Sequence, residues 1–352
     1  MRCMPILWSA ALGLIAIAAA AEPPKKYQVV TPKDNDITAT GINGRGEIVG
    51  FEWKEDARHP GVIAEVPFFA RGKAMTYLPL LEGYTATFPA AVSDDGRVVG
   101  RASKPAPPGV RVHLRNQAFV WEARTGIRGL GVLENDSASF ACGITRDGRR
   151  ISGYSVGDNR VRACVWDDDG GGWKSTALPH DSRLRSTTVV ISGDGRFVAA
   201  VDGAAPCLWA RDASGRWTRE RIGDDGALVP KAVNDAGTVV GVRFTSDGLT
   251  HAALWSRREG IKLLPEPAGY IRSEALAINN PGEVVGMVDG PGGSKIGPNG
   301  FVFAGGRLRL LDEGGPNFAS ATAINDRGQV AGVLETKEEN EPAGPDAKPK
   351  RE

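Results

Sequence analysis

The chain lacks a surplus of either charge. Its 43 Lys and Arg residues face 42 Asp and Glu, a formal net charge of +1 over 352 residues. Nucleic-acid binders carry a clustered basic excess, so no nucleic-acid partner is expected. Histidine is scarce: His59, His113, His180 and His251 fall at unrelated places and suggest no metal-ligand set. Of four cysteines, Cys3 lies in the N-terminal segment. Cys142, Cys164 and Cys207 remain, an odd number without metal spacing. They read as small core residues, with one disulfide among them left open. No window beyond the N-terminal segment shows a convincing 3.6-residue apolar period, which excludes a helical fold. No Gly-x-Ser-x-Gly elbow, His-Glu-x-x-His pair or phosphate-cradling glycine loop occurs. The Asp-Thr-Gly-Trp repeat of quinone-dependent dehydrogenase propellers is missing too. No cofactor and no catalytic residue is assigned.

Glycine and proline, by contrast, are plentiful: 46 and 23 residues, spread along the chain. They mark many turns and hence many short strands. Residues 1–21 carry Arg2, an apolar stretch from Pro5 to Ala19, and small residues at Ala19–Ala21. This is the pattern of a cleaved secretory signal, too short to serve as a span. A secreted protein, periplasmic or extracellular, is expected. Residues 335–352 are charged, proline-bearing and free of aromatics, the composition of a disordered tail.

Between these ends one decamer is written seven times. The copies are GINGRGEIVG at Gly41, AVSDDGRVVG at Ala91, GITRDGRRISG at Gly143 and VISGDGRFVAA at Val190. AVNDAGTVVG at Ala232, AINNPGEVVG at Ala277 and AINDRGQVAG at Ala323 complete the set. The third copy carries an extra residue, and the fourth replaces the closing glycine with Ala199. Their pivots are Asn43, Ser93, Thr145, Ser192, Asn234, Asn279 and Asn325, spaced by 42 to 52 residues. A pivot oxygen that caps a tight turn, then a glycine three residues on with positive φ, predicts a β-hairpin.

A second motif alternates with the first: an apolar strand ending in Trp or Phe, as in AFVWEARTG at Ala118 and AALWSRREG at Ala252. A short strand follows each. Four antiparallel strands per 42–52 residues is the size of a β-propeller blade. Residues 22–334 are therefore expected to form one all-β propeller domain, with seven blades, one of them three-stranded. Six blades with extra strands at the seam is the alternative. The strand at Tyr27 and the last decamer should meet and close the ring. The terminal aromatics should pack between blades, and pairs such as Val98–Val99 should be covered on both sides.

The AINxxGxVVG decamer and the HAALW strand at His251–Trp255 resemble the HAF-repeat family of extracellular repeat proteins over roughly Tyr27 to Leu334. The match departs at the name-giving triplet, where His251 precedes Ala252–Ala253 instead of Ala-Phe. The resemblance implies a secreted repetitive β-protein and carries no settled activity.

The functional expectation is a monomeric, non-catalytic scaffold that binds a protein or glycan partner through one face, with binding residues unassigned. A glycan-active hydrolase or lyase working in the channel is the enzymatic alternative; a structural envelope protein is a third. Carboxylates and an arginine from three or more repeats, within hydrogen-bonding reach at one channel end, would mark the enzyme. The acidic run WDDDGGGW at Trp166–Trp173 has consecutive acids that should splay apart, unlike a calcium loop. The longest insertions, Lys54–Glu65 and Ala102–Asn116, occupy the same slot in their repeats, as does Gly290–Gly300. That side is the candidate ligand face.

Overall fold

The structure is a computed structural model, and it describes residues 37–55, 63–104, 116–158, 160–180, 188–224, 228–292, 297–311 and 318–334. The signal segment, Tyr27, the C-terminal tail and most of the two long insertions lie outside the described residues. So do His59 and His113.

Repeat by repeat, apolar alternation broken by glycine turns makes strands and nothing else. The first repeat gives β1 (Ile37–Ile42), β2 (Ile48–Glu55), β3 (Ile63–Arg71) and β4 (Ala74–Tyr77); the second gives β5 (Ala86–Val92), β6 (Val98–Ser103), β7 (Asn116–Glu122) and β8 (Gly126–Gly129). The third holds β9 (Ala138–Ile144), β10 (Arg150–Gly157), β11 (Arg160–Asp168) and β12 (Trp173–Ala177). The fourth holds β13 (Val190–Ile191), β14 (Phe197–Asp202), β15 (Ala205–Arg211) and β16 (Trp217–Arg221). The fifth comprises β17 (Val229–Val233), β18 (Val239–Phe244), β19 (Thr250–Ser256) and β20 (Gly260–Leu263). The sixth comprises β21 (Arg272–Ile278), β22 (Val284–Asp289), β23 (Asn299–Ala304) and β24 (Arg307–Leu310), and the last decamer gives only β25 (Phe318–Ile324) and β26 (Val330–Leu334).

These strands form six antiparallel sheets, so the propeller has six blades and the expected seven is corrected. Five sheets have four strands in meander order; the other runs β25-β26-β1-β2-β3-β4. The seventh hairpin founds no blade of its own because β26 pairs with β1, at Thr38↔Val333. The first and last decamers meet in this sheet, while the expected strand at Tyr27 lies outside the described residues.

Each of five hydrophobic clusters draws on two successive sheets. One joins Phe140, Tyr154 and Val165 to Val198, Cys207 and Trp209; another joins Val99 and Val120 to Ile151 and Trp166. Trp166 and Trp209 are fully buried, and so are both members of Val98–Val99 and Val284–Val285. The aromatics pack between blades and the inner strands are covered on both sides, as the patterning implies.

The closing glycine of the decamer has a steric origin. In most blades the inner strand carries a β-bulge three residues before the pivot, with register shifts at Pro89/Ala91, Pro230/Ala232 and Ala275/Ala277. The bulge drives a carbonyl against the partner strand. A Cβ on Gly286 would stand 1.8 Å from the Glu274 carbonyl oxygen. In the fourth copy the residue in this place is Ala200, one position beyond Ala199, because Arg196 lengthens the turn. There β13 pairs only at Val190↔Ala199 and Ile191↔Val198, without a bulge. Gly286→Ala should therefore cost about 1–3 kcal/mol, read as a lower Tm, whereas Ala200→Gly should leave the Tm within a degree or two of wild type.

At the blade edges, buried Asp136 accepts hydrogen bonds from Arg160 Nε at 2.7 Å and Arg162 Nη2 at 2.9 Å. Burial opposes its charge, but these donors prevail and hold the carboxyl below its ordinary range. A carboxyl whose folded pKa is depressed stabilises the fold above its unfolded value of about 3.9 and loses that stabilisation as pH falls through the folded value. Asp136→Asn should flatten the fall in Tm between about pH 5 and pH 3; parallel melting profiles would refute the assignment.

Candidate functional site: the central channel and its two ends

The seven decamer turns surround one channel, and their chemistry builds its rim. Each turn closes with a hydrogen bond from the glycine N–H to the pivot carbonyl, 3.0 Å at Gly46→Asn43 and at Gly328→Asn325. That glycine has φ between 71° and 88° in all seven copies, as expected. Asn43 Oδ1 caps its own turn by accepting from Arg45 N and Glu47 N. Ser93, Thr145 and Ser192 do the same with their hydroxyls.

Asparagine has a second use that the repeat pattern does not reveal. Its Nδ2 reaches the next turn: Asn43 to the Ser93 carbonyl, Asn234 to Asn279, Asn279 to Asn325, and Asn325 back to Asn43 at 2.8 Å. In three copies the other amide hydrogen goes to the side chain four residues on, Glu47, Glu283 or Gln329. A hydroxyl pivot has no amide to offer, so other groups make those links. Asp94 N donates to the Arg146 carbonyl, Arg146 N to the Gly193 carbonyl, and Asp194 N to Asp235 Oδ1. The seven turns thus form a closed hydrogen-bonded ring on a six-bladed propeller.

The residue after the pivot adds a second latch. Asp94 accepts from Gly44 N, Asn280 from Asp235 N, and Asp326 from Asn280 N, at 2.7 to 2.9 Å. Arg146 crosses the rim to pair with Asp235, and its Nη1 stands 3.7 Å from Asp326. Carboxylates and an arginine from three repeats therefore do meet at one channel end. Their bonding decides what the meeting means. Asp235 Oδ1 receives Asp194 N, and its Oδ2 receives Arg146 and Asn280 Nδ2. Asp326 gives one oxygen to Asn280 N and the other to Asn280 Nδ2. Both acids are engaged through both oxygens, so proximity alone is too weak a mark of catalysis here.

Inside the rim the cavity measures about 280 Å³. The bulge residues line it: Thr40, Ala90, Cys142, Lys231, Leu276 and Thr322. Cys142 is half-buried on this wall, unlike Cys164 and Cys207, which are core residues as expected. Burial pushes the Cys142 thiol up to about 11. Lys231 is the one charged side chain in this layer of the repeats.

Other candidates resolve as scaffold. His251 Nδ1 lies 2.8 Å from Glu266 Oε1, which also accepts from Ser273 Oγ. Ser273 in turn caps Ala252 N, and Ser139 caps Ala118 N in the same way three blades earlier, with no histidine among the described residues bonded to it. His180 is exposed beyond β12. The acidic run does splay: Asp167 goes to Arg150, Asp168 to Arg97 and Gly170 N, and Asp169 to Gly171 N. Among the described residues no three metal-ligating side chains gather.

The decamer turns share one face of the ring with the third-to-fourth strand turns. The second-to-third connections open on the other face, so Lys54–Glu65, Ala102–Asn116 and Gly290–Gly300 do leave the sheets on one side. Among the described residues seven large apolar side chains are 36–60% exposed: Trp53, Ile63, Tyr77, Leu80, Val132, Phe244 and Leu263. Every one sits at a strand end or connection on this loop face. No described helix is long and apolar enough to cross a membrane.

Fold and channel together define a β-propeller built around a closed ring of turns. No family model matches the sequence, and no curated protein matches it. Among solved structures it is similar to the β-propeller domain of the Trilobed protease from Pyrococcus furiosus, reported with an open velcro topology. That likeness has 12% identity and a TM-score of 0.52, over 86% of this chain and 92% of that one. It is also similar to the acylaminoacyl peptidase of Pyrococcus horikoshii, with 10% identity and a TM-score of 0.51, over 83% of this chain. The likeness covers 48% of the peptidase, so the chain spans about half its length. These likenesses show the fold.

Replacing the ring amide should open the seam. Asn325→Asp keeps the turn-capping oxygen but sets a carboxylate against the Asn43 carbonyl. A loss of about 1–3 kcal/mol in urea unfolding is expected, with Asn325→Ser at the low end. An unchanged midpoint would show that the ring bond does not hold the seam.

Proposed function

We propose that the chain is an exported propeller of the HAF-repeat kind that acts as a non-catalytic binding scaffold, with the loop face as its contact surface for a glycan or protein partner. The distribution of exposed apolar side chains carries this reading: among the described residues all seven lie on that face, and none on the turn face. Exposed apolar side chains gathered on one side of the β-scaffold favour that side as an interaction surface. On the turn face, Asp235 and Asp326 each accept scaffold hydrogen bonds through both oxygens, which supports a structural role for them.

The reading is tested on the full chain with a glycan array and with binding to cell-envelope fractions. A Trp53→Ser, Phe244→Ser double variant and variants shortened in Lys54–Glu65 or Ala102–Asn116 should bind at least tenfold more weakly. Arg124→Glu, on the turn face, should bind like wild type. Binding unaffected by the loop-face changes overturns the face assignment. Release of sugar reducing ends or unsaturated ends by the wild-type chain, lost in Asp94→Asn, overturns the non-catalytic reading.

A further inference from the structure

One position of the repeat breaks its own rule. The residue after the closing glycine is Phe51, Tyr154, Met287, Val242 and Val333 in five repeats, and Val201 follows Ala200 in a sixth. All six are apolar. In the second repeat the residue is Arg101. It sits on β6 opposite Phe88 of β5, at the loop-face end of the channel wall. A charge at a position that six copies keep apolar conflicts with scaffold demands, and such conflicts concentrate at functional sites.

The surroundings of Arg101 show what it lacks. Its guanidinium lies over the Phe88 ring, 4.3 Å from the centroid. Phe51 also packs against Phe88, ring centres 5.9 Å apart. Its Nε is buried and finds no hydrogen-bond partner among the described residues. Its charge is felt by Cys142 and Tyr154 of the next blade, where it opposes the rise that burial imposes on both groups. Cys142 lines the channel. Lys231, the other cation out of keeping with its repeat position, faces the same channel three blades on. The acid of the Arg101 layer, Glu274, belongs to the sixth sheet, with two hairpins between them by the shorter way round the ring. A buried donor without an acceptor is costly, and a guanidinium fork matches a carboxylate in two parallel bonds.

We propose that the loop-face end of the channel is a carboxylate-binding site, in which Arg101 grips a carboxylate of the ligand and Phe51 and Phe88 receive its apolar body. The proposal rests on the binding-scaffold reading and deepens it by naming the ligand chemistry. A peptide C-terminus, a free organic acid and a uronate sugar all present this group.

Calorimetry on the full chain tests it with three probes: N-acetyl-phenylalanine, N-acetyl-phenylalaninamide and glucuronate. The expected result is binding of at least one carboxylate and none of the amide. Arg101→Met should bind at least tenfold more weakly, with Arg101→Lys between. Preference for N-acetyl-phenylalanine over glucuronate would point to a peptide or acid source, and the reverse to a glycan. Methionine already fills this position in the sixth repeat, so Arg101→Met should melt at or above the wild-type temperature without ligand. A melting temperature several degrees lower would make Arg101 a structural residue and overturn the proposal. So would equal binding of acid and amide, or no binding of any carboxylate. If the partner found on the loop face still binds Arg101→Met fully, the carboxylate site fails while the scaffold reading stands.

Discussion

The structure depends on a carbonyl-to-amide relay around the channel. A propeller has two chain ends that must be held together, and here backbone pairing at the seam supplies the single register pair Thr38↔Val333. The rest of the closure comes from side chains of the last and first repeats: Asn325 Nδ2 on the Asn43 carbonyl, and Thr322 Oγ1 on the Ala39 carbonyl at 2.7 Å. Buried amide groups must find partners, and a ring offers each of them one on either side. No turn can leave the ring without stranding a donor in its neighbour, which makes the closure cooperative. The same relay fixes how far apart the inner strands stand, and hence the channel's width.

That relay divides the molecule's two faces by chemistry. On the turn face, polar side chains are used in holding the ring, and the charged groups above it are drawn into the latches. Asp94, Asn280 and Asp326 each cap an N–H of the preceding turn. On the loop face the described polar contacts stay in separate groups, as at Asp136 with Arg160 and Arg162 and at Glu266 with His251 and Ser273, and the exposed aromatic and aliphatic side chains of the described residues collect there. A ligand arriving at the turn face would have to displace scaffold hydrogen bonds. One arriving at the loop face meets exposed apolar surface.

What the sequence made legible was the local part. A pivot oxygen, a glycine with positive φ and an apolar pair act within ten residues, so all seven hairpins and both following strand types could be placed. Blade number was not legible. It turns on whether β25 and β26 gain outer strands or pair with β1, a contact nearly three hundred residues away in sequence. The second role of asparagine was hidden for the same reason, since the acceptor of its Nδ2 belongs to the next repeat. A signal existed all the same: three of the four asparagine pivots are followed four residues later by Glu or Gln, whereas the Ser and Thr pivots have an Asp two residues on. Asn234, followed by Thr238, is the exception. The closing alanine was misplaced by one residue because Arg196 lengthens that turn, a shift visible only in the pairing of Val198 with Ile191.

Arg101 and Lys231 were missed because they belong to no motif. They are found by the opposite procedure, in which the repeats are aligned and the residue that departs from its column is taken as the informative one. Within a column the scaffold's demand is measured six times over by the other copies. A polar residue that the local structure uses, such as Ser273 for a main-chain cap, is explained by the fold. A departure that leaves a buried guanidinium nitrogen without an acceptor is not repaid by the described residues. This is also why the clustered acids at the rim are weaker evidence of function than Arg101: their bonds are already made, and its Nε has no partner among the described residues.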